Sequence, residues 1–84
     1  MGTVFITGAN RGLGLEFVKE FSEKKDYEVI ATCRDPNSSS DLTNLAKSNL
    51  KIQLHQLDVS NTKNIQDLSN HLKNKPIDIL INNA

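Results

Sequence analysis

The densest chemistry in the chain lies in Thr7-Gly8-Ala9-Asn10-Arg11-Gly12-Leu13-Gly14, where three glycines fall within seven residues. An apolar run (Val4, Phe5, Ile6) enters this stretch and a helical pattern leaves it. Glycine at such positions permits backbone conformations that a Cβ forbids, and it lets a ligand approach the main chain closely. The helix that follows presents unpaired N–H groups and the positive end of its dipole to an anion. A dinucleotide pyrophosphate has the charge and the shape for that site. The spacing is GxxxGxG rather than GxGxxG, so each glycine needs its own assignment. Gly8 makes the tight exit from the strand, Gly12 exposes backbone to the pyrophosphate, and Gly14 lets the helix pack on the sheet. The competing reading is a glycine-rich αβ connection that binds nothing.

Further candidates fall where strands should end. A dinucleotide fold needs a group to read the adenosine ribose about twenty residues beyond the glycine turn, and Gly14 plus twenty is Arg34. A guanidinium suits the 2′-phosphate of NADP, and Arg11 can add a second positive charge. NADP is therefore favoured over NAD, although Asp35 next to Arg34 keeps the ribose hydroxyl of NAD as an option. Asp58, in Leu57-Asp58-Val59, can accept from the adenine amino group or cap the helix that starts near Asn61 or Thr62. Asn82 and Asn83 follow the last apolar run, where amides can brace backbone and contact a ribose. His55 and His71 carry no catalytic signal: His55 sits on the polar face of a strand and reads as solvated, and His71 reads as a surface residue beside an apolar stripe.

The elements that must position these groups alternate as βαβαβαβ. Strands are expected at Thr3 to Thr7, at Glu28 to Cys33, from Leu50 onward with Leu57-Asp58-Val59 closing the strand, and at Ile77 to Ile81. Helices are expected at Gly12 to Lys24, with Leu13, Phe17, Val18 and Phe21 inward, at a short stretch with Leu42, Leu45 and Ala46 inward, and at Thr62 to Asn74, with Ile65, Leu68 and Leu72 inward. Leu50, Ile52 and Leu54 alternate with polar residues, which suits a strand at a sheet edge. Right-handed crossovers place the strands in the order 3-2-1-4, with a ligand crevice between the first and the fourth. A run as apolar as Ile77 to Ile81 is not expected at a bare edge, so the 84 residues read as part of a larger sheet.

The bulk properties narrow the function. Ten basic and ten acidic residues give no net charge, and the lysines are scattered, so neither nucleic acid nor an anionic membrane is an expected partner. The single cysteine, Cys33, lies in an apolar run and reads as a buried small hydrophobe. The absence of a disulfide framework suits a reducing compartment, and with no signal-like or membrane-spanning stretch the expected location is the cytoplasm.

Taken together, the motifs resemble the short-chain dehydrogenase/reductase family over nearly the whole chain. Thr7 to Gly14 is similar to its TGxxxGxG coenzyme turn, Leu57-Asp58-Val59 to its adenine-contacting element, and Asn82-Asn83-Ala84 to its NNAG motif without the glycine. Ala31-Thr32-Cys33-Arg34-Asp35-Pro36 and Gly12-Leu13-Gly14-Leu15-Glu16 are similar to the subgroup around the sniffer carbonyl reductase and the C-factor-like proteins. The resemblance implies an α/β fold: residues 1–84 form the N-terminal portion of a single NAD(P)-binding, doubly wound Rossmann domain. It also implies NADPH-dependent reduction of a small carbonyl substrate, or the reverse oxidation of an alcohol, in a homo-oligomeric full-length protein. The coenzyme-binding residues it implies are Gly8, Asn10, Arg11, Gly12, Leu13, Gly14, Arg34, Asp58, Val59 and Asn83, with Asn82 holding neighbouring strands. The family's catalytic Ser and YxxxK pair have no counterpart here: Ala31 stands four residues after Tyr27, the only tyrosine. Tyr27 reads as a packing residue, no metal ligands are expected, and the 84 residues alone are not expected to catalyse. The alternative is a non-catalytic nucleotide-binding or interaction protein on the same half-fold; an extended-family epimerase or dehydratase fits the Asn82-Asn83-Ala84 ending less well.

Overall fold

The computed structural model describes residues 2–10, 12–35, 40–58 and 60–83. Among these residues four strands and three helices alternate: β1 (Gly2–Ile6), α1 (Gly12–Ser22), β2 (Tyr27–Cys33), α2 (Ser40–Ser48), β3 (Ile52–Gln56), α3 (Thr62–His71) and β4 (Ile79–Ile81). All neighbouring strands run parallel, in the order β3-β2-β1-β4. This is the order expected from right-handed crossovers.

Alternation along the central strands divides the interior between the two faces of the sheet. Val4, Ile6, Val29, Ala31 and Cys33 point to one side, where Leu15 and Val18 of α1 and Leu42 of α2 complete a buried cluster. Phe5 and Ile30 point to the other side and meet Leu68 of α3, flanked by Leu57 and Leu72. Continuous burial along β2 reflects this cover on both faces. Phe21 and Tyr27 meet edge to face with ring centroids 5.3 Å apart, which makes Tyr27 a packing residue. Cys33 is buried as expected.

Several local expectations are corrected. Leu13 is 68% exposed and not on the inward face of α1; that face is centred on Gly14, Leu15 and Val18, one residue further round the helix. Leu50 is 95% exposed because β3 begins only at Ile52, and the preceding residues form a turn held by Asn49, whose Oδ1 accepts from Lys51 N. Ile65 is partly exposed, and the apolar contact of α3 with the sheet is made by Leu68, with Leu72 just beyond the helix packed beside it. Helix α3 ends at His71, before Pro76 could stop it, and α1 ends at Ser22, where Asn49 Nδ2 and Lys51 Nζ reach the last carbonyl.

Strand β4 is also shorter than the apolar run. Thr7 donates to the Ile81 carbonyl, and continuing that ladder downward would send the Thr3 N–H to Ile77. It goes instead to the Asp78 carboxylate at 2.7 Å, while Asp78 N donates to the Thr3 carbonyl at 2.9 Å. The side chain thus replaces a rung and releases Ile77 from the sheet.

Candidate functional site

The carboxyl ends of all four strands lie along one edge of the sheet, and the glycine turn joins them. Parallel pairing without exception produces this arrangement, since every strand then ends on the same side. Ala9 N donates to the Thr32 carbonyl at 2.9 Å, tying the turn to the end of β2. Thr7 ties it to β4: its N–H donates to the Ile81 carbonyl, its hydroxyl accepts from Asn83 N at 2.9 Å, and that hydroxyl donates to Asn82 Oδ1 at 3.0 Å. The buried Thr32 hydroxyl closes the lattice by donating to the Ile6 carbonyl.

Within this frame the three glycines do different things. Gly8 and Gly12 have φ of 58° and 56°, the left-handed region that favours glycine. A Cβ on Gly14 would stand 2.1 Å from the Gly8 carbonyl oxygen, so the first turn of α1 touches the strand exit backbone to backbone. A Cβ on Gly12 would meet nothing within 4 Å. The space above Gly12 is therefore open among the described residues, at the N-terminus of a helix eleven residues long. Leu13 follows in that first turn with its side chain exposed.

The amide of Asn83 is committed to this turn. Its Nδ2 donates to the Gly8 carbonyl at 3.3 Å and would lie 2.7 Å from a Cβ on Gly14. Asn83 thus braces the turn, and Asn82 joins strand ends as expected. Bracing of backbone by these amides was expected from the sequence; the partner, the Gly8 carbonyl, lies 75 residues away.

Arg34 is exposed at the end of β2, and Gln56 Nε2 of β3 donates to its carbonyl at 3.2 Å. Asp58 lies at the end of β3. Its Oδ1 accepts from the Ser60 hydroxyl at 2.6 Å and from Ser60 N at 3.0 Å. These two hydrogen bonds hold the carboxyl below its ordinary range, with a smaller contribution from the positive charge of Arg34. Asp58 does not cap α3. The cap is Asn61, whose Oδ1 accepts from Asn64 N, while Asn64 Oδ1 accepts from Asp58 N at 3.3 Å. Four capping-type residues within five positions (Asp58, Ser60, Asn61 and Thr62) hide this choice from the sequence. Asn10 lies in the glycine turn between Ala9 and the start of α1. Arg11 and Val59 fall outside the described residues.

Burial pushes the Cys33 thiol up from its ordinary value, and the nearby Asp35 carboxylate pushes it further than the Asp35 backbone hydrogen bond lowers it, a setting that disfavours the thiolate. His55 is not the solvated side chain expected from alternation. It is half-buried against His71 of α3, with ring centroids 4.7 Å apart, because β3 has a helix over each face. Among the described residues no group of acidic, histidine or cysteine side chains is placed to hold a metal, and no helix is long and apolar enough to cross a membrane.

Comparison with known proteins agrees with this geometry. An oxidoreductase of Schizosaccharomyces pombe is 36% identical over 77 residues, covering 89% of this chain and 30% of that protein. The crystal structure of an NADPH-bound carbonyl reductase from chicken fatty liver superposes with a TM-score of 0.83 at 36% identity, over 98% of this chain and 34% of that one. Carbonyl reductase Sniffer of D. melanogaster superposes with a TM-score of 0.81 at 32% identity, over 100% of this chain and 36% of that one. The chain thus spans about a third of the length of the proteins it matches. The strand order, the glycine turn and the amides that lock it have the same explanation as the match of residues 2–84 to a single family model: the chain belongs to the short chain dehydrogenase family.

Proposed function

We propose that these residues form the coenzyme-binding part of an NADP-dependent short-chain oxidoreductase of the carbonyl reductase type. The observation that carries this reading is the pairing of a glycine-only backbone contact, Gly14 on Gly8, with open space above Gly12 at the start of α1. A pyrophosphate needs both: bare backbone to approach, and a helix terminus to neutralise it.

On this reading Gly12, Leu13 and Asn10 present the turn to the pyrophosphate, and Gly8 and Gly14 give the turn its shape. Asn83 holds the Gly8 carbonyl in place and lies beside the coenzyme. Arg34 pairs with the 2′-phosphate, and the Asp58 carboxylate, kept ionised by Ser60, accepts from the adenine amino group. Arg11 and Val59 join this set on sequence grounds, Arg11 as a second positive charge and Val59 beside the adenine. The coenzyme supplies a hydride to a small carbonyl carbon, or takes one from an alcohol. The proton donor and the substrate pocket are assigned to the part of the full-length protein beyond residue 84, so the residues described here position the coenzyme and do not catalyse alone. A cytoplasmic, homo-oligomeric full-length enzyme without nucleic-acid or membrane partners completes the proposal.

The test is coenzyme titration of the full-length protein. Arg34→Asp should weaken NADPH binding by about 1.5–3 kcal/mol, roughly 10- to 150-fold, the range for a charge-assisted hydrogen bond. NADH should be affected far less. An unchanged preference between the two coenzymes would refute the role of Arg34.

A further inference from the structure

The face of the sheet covered by α3 holds a pair of imidazoles that the coenzyme site does not use. His55 projects from β3 and His71 closes the last turn of α3, and their rings meet at 4.7 Å and 57°. They line a groove of about 260 Å³ with Gln56, Asn64, Asp67 and Leu68. Leu68 is the one fully inserted apolar anchor of α3 among the described residues, so this helix is lightly held.

We propose that the His55–His71 contact is a proton-operated latch on α3, which releases the helix from β3 as the pH falls and thereby loosens the turn that presents Asp58. Two neutral imidazoles share this contact at no electrostatic cost. Two imidazolium rings at this distance repel each other, and the half-buried His55 would also have to hold a charge away from water. Both effects are already visible in the ring of His55, whose pKa is lowered first by burial and second by His71.

The charged surroundings do not cancel the effect. From α3, His71 and Asp67 face the groove, and Asp67 stands one turn from His71 on the exposed side of that helix. On β3, His55 Nε2 lies 3.4 Å from Gln53 Oε1. Glu28 of β2 accepts from Gln53 Nε2, and the Lys75 ammonium pairs with that same carboxylate. The connection to Asp58 runs through the start of α3, where Asn64 Oδ1 accepts from Asp58 N and Asn61 N donates to the Asp58 carbonyl.

The sign follows from linkage. The folded pKa of His55 lies below the ordinary histidine value of 6.5, so the closed state binds fewer protons than the open one. Opening is therefore unaffected well above pH 6.5, rises as pH falls below that value by at most tenfold per pH unit for one proton, and levels off below the folded pKa.

Amide hydrogen exchange of the full-length protein tests this, with intrinsic exchange rates corrected for pH. Opening at Leu68, Leu72 and Asn61 should increase severalfold between pH 7.5 and 5.5, while the amides of β1 and β2 stay unchanged. His55→Gln should abolish the increase. His71→Gln should reduce it, leaving the part due to burial of His55, and it serves alone if His55→Gln does not fold. A response of equal size in either variant, or no response in the parent protein, would overturn the latch. The readout does not depend on coenzyme, so it stands or falls separately from the proposed function.

Discussion

Replacing Gly14 with alanine adds one carbon where the structure has none to spare. The new Cβ would sit 2.1 Å from the Gly8 carbonyl oxygen and 2.9 Å from its carbon, with Asn83 Nδ2 at 2.7 Å. Ordinary carbon–oxygen contact begins near 3.4 Å, so α1 and the strand exit must separate by roughly 1.3 Å. Neither side can give way by a rotamer change, because the obstacle is backbone. Overpacking of this kind costs about 1–3 kcal/mol. The shift also breaks the hydrogen bond from Asn83 to the Gly8 carbonyl, a further contribution of about 1 kcal/mol. The expected loss is about 2–4 kcal/mol, read as a lower denaturant midpoint with an unchanged slope, or as a Tm lowered by about 5–15 °C in a protein of 150–250 residues. Gly12→Ala is the control. Nothing crowds its Cβ, and the cost is that of φ at 56° alone, about 1–2 kcal/mol. The two variants should also differ in kind: Gly12→Ala should lose coenzyme affinity while remaining folded, because the carbon enters the space assigned to the pyrophosphate. Finding Gly14→Ala no less stable than Gly12→Ala in the full-length protein would refute the backbone contact as described.

Three further outcomes can be checked on the same protein. Asp58 has a depressed carboxyl pKa, so its contribution is present above the ordinary aspartate value of 3.8 and is lost as pH falls through the folded value; Asp58→Asn should flatten the acid limb of the stability profile, and an unaltered limb would argue against the Ser60 hydrogen bonds. Cys33 should resist iodoacetamide in the folded protein at pH 8 and react once denatured, whereas rapid labelling of the native state would contradict its burial. Asp78→Ala should cost about 1–3 kcal/mol, because it strips the acceptor from the Thr3 N–H, and amide exchange at Thr3 should accelerate with it.

What could be read from the residues was whatever depends on period and order. Alternating β and α patterns with parallel crossovers leave little freedom in strand order, and the spacing of Gly8, Gly12 and Gly14 specifies which of them must be bare. What could not be read were choices among near-equivalent neighbours. Leu13 and Leu15 are both apolar at the start of α1, and only the docking angle decides that Leu15 goes inward. Leu50 continues the alternation of β3, but the strand cannot begin before the Asn49 turn is complete. His55 lies on the polar side of its strand, and alternation cannot say what stands opposite. The role of Asp78 escaped because a carboxylate in place of a ladder rung leaves no periodic trace.

The bonds of the Thr7 hydroxyl to Asn82 and Asn83 have a consequence for the order in which the molecule assembles. They join residues 75 and 76 positions apart, so they can form only after almost all of the described chain has been synthesised and β4 has found β1. Contacts of such long sequence separation bear the full entropy of loop closure and form late. The glycine turn, complete in sequence by residue 14, should therefore take its final shape only in the step that seats the last strand.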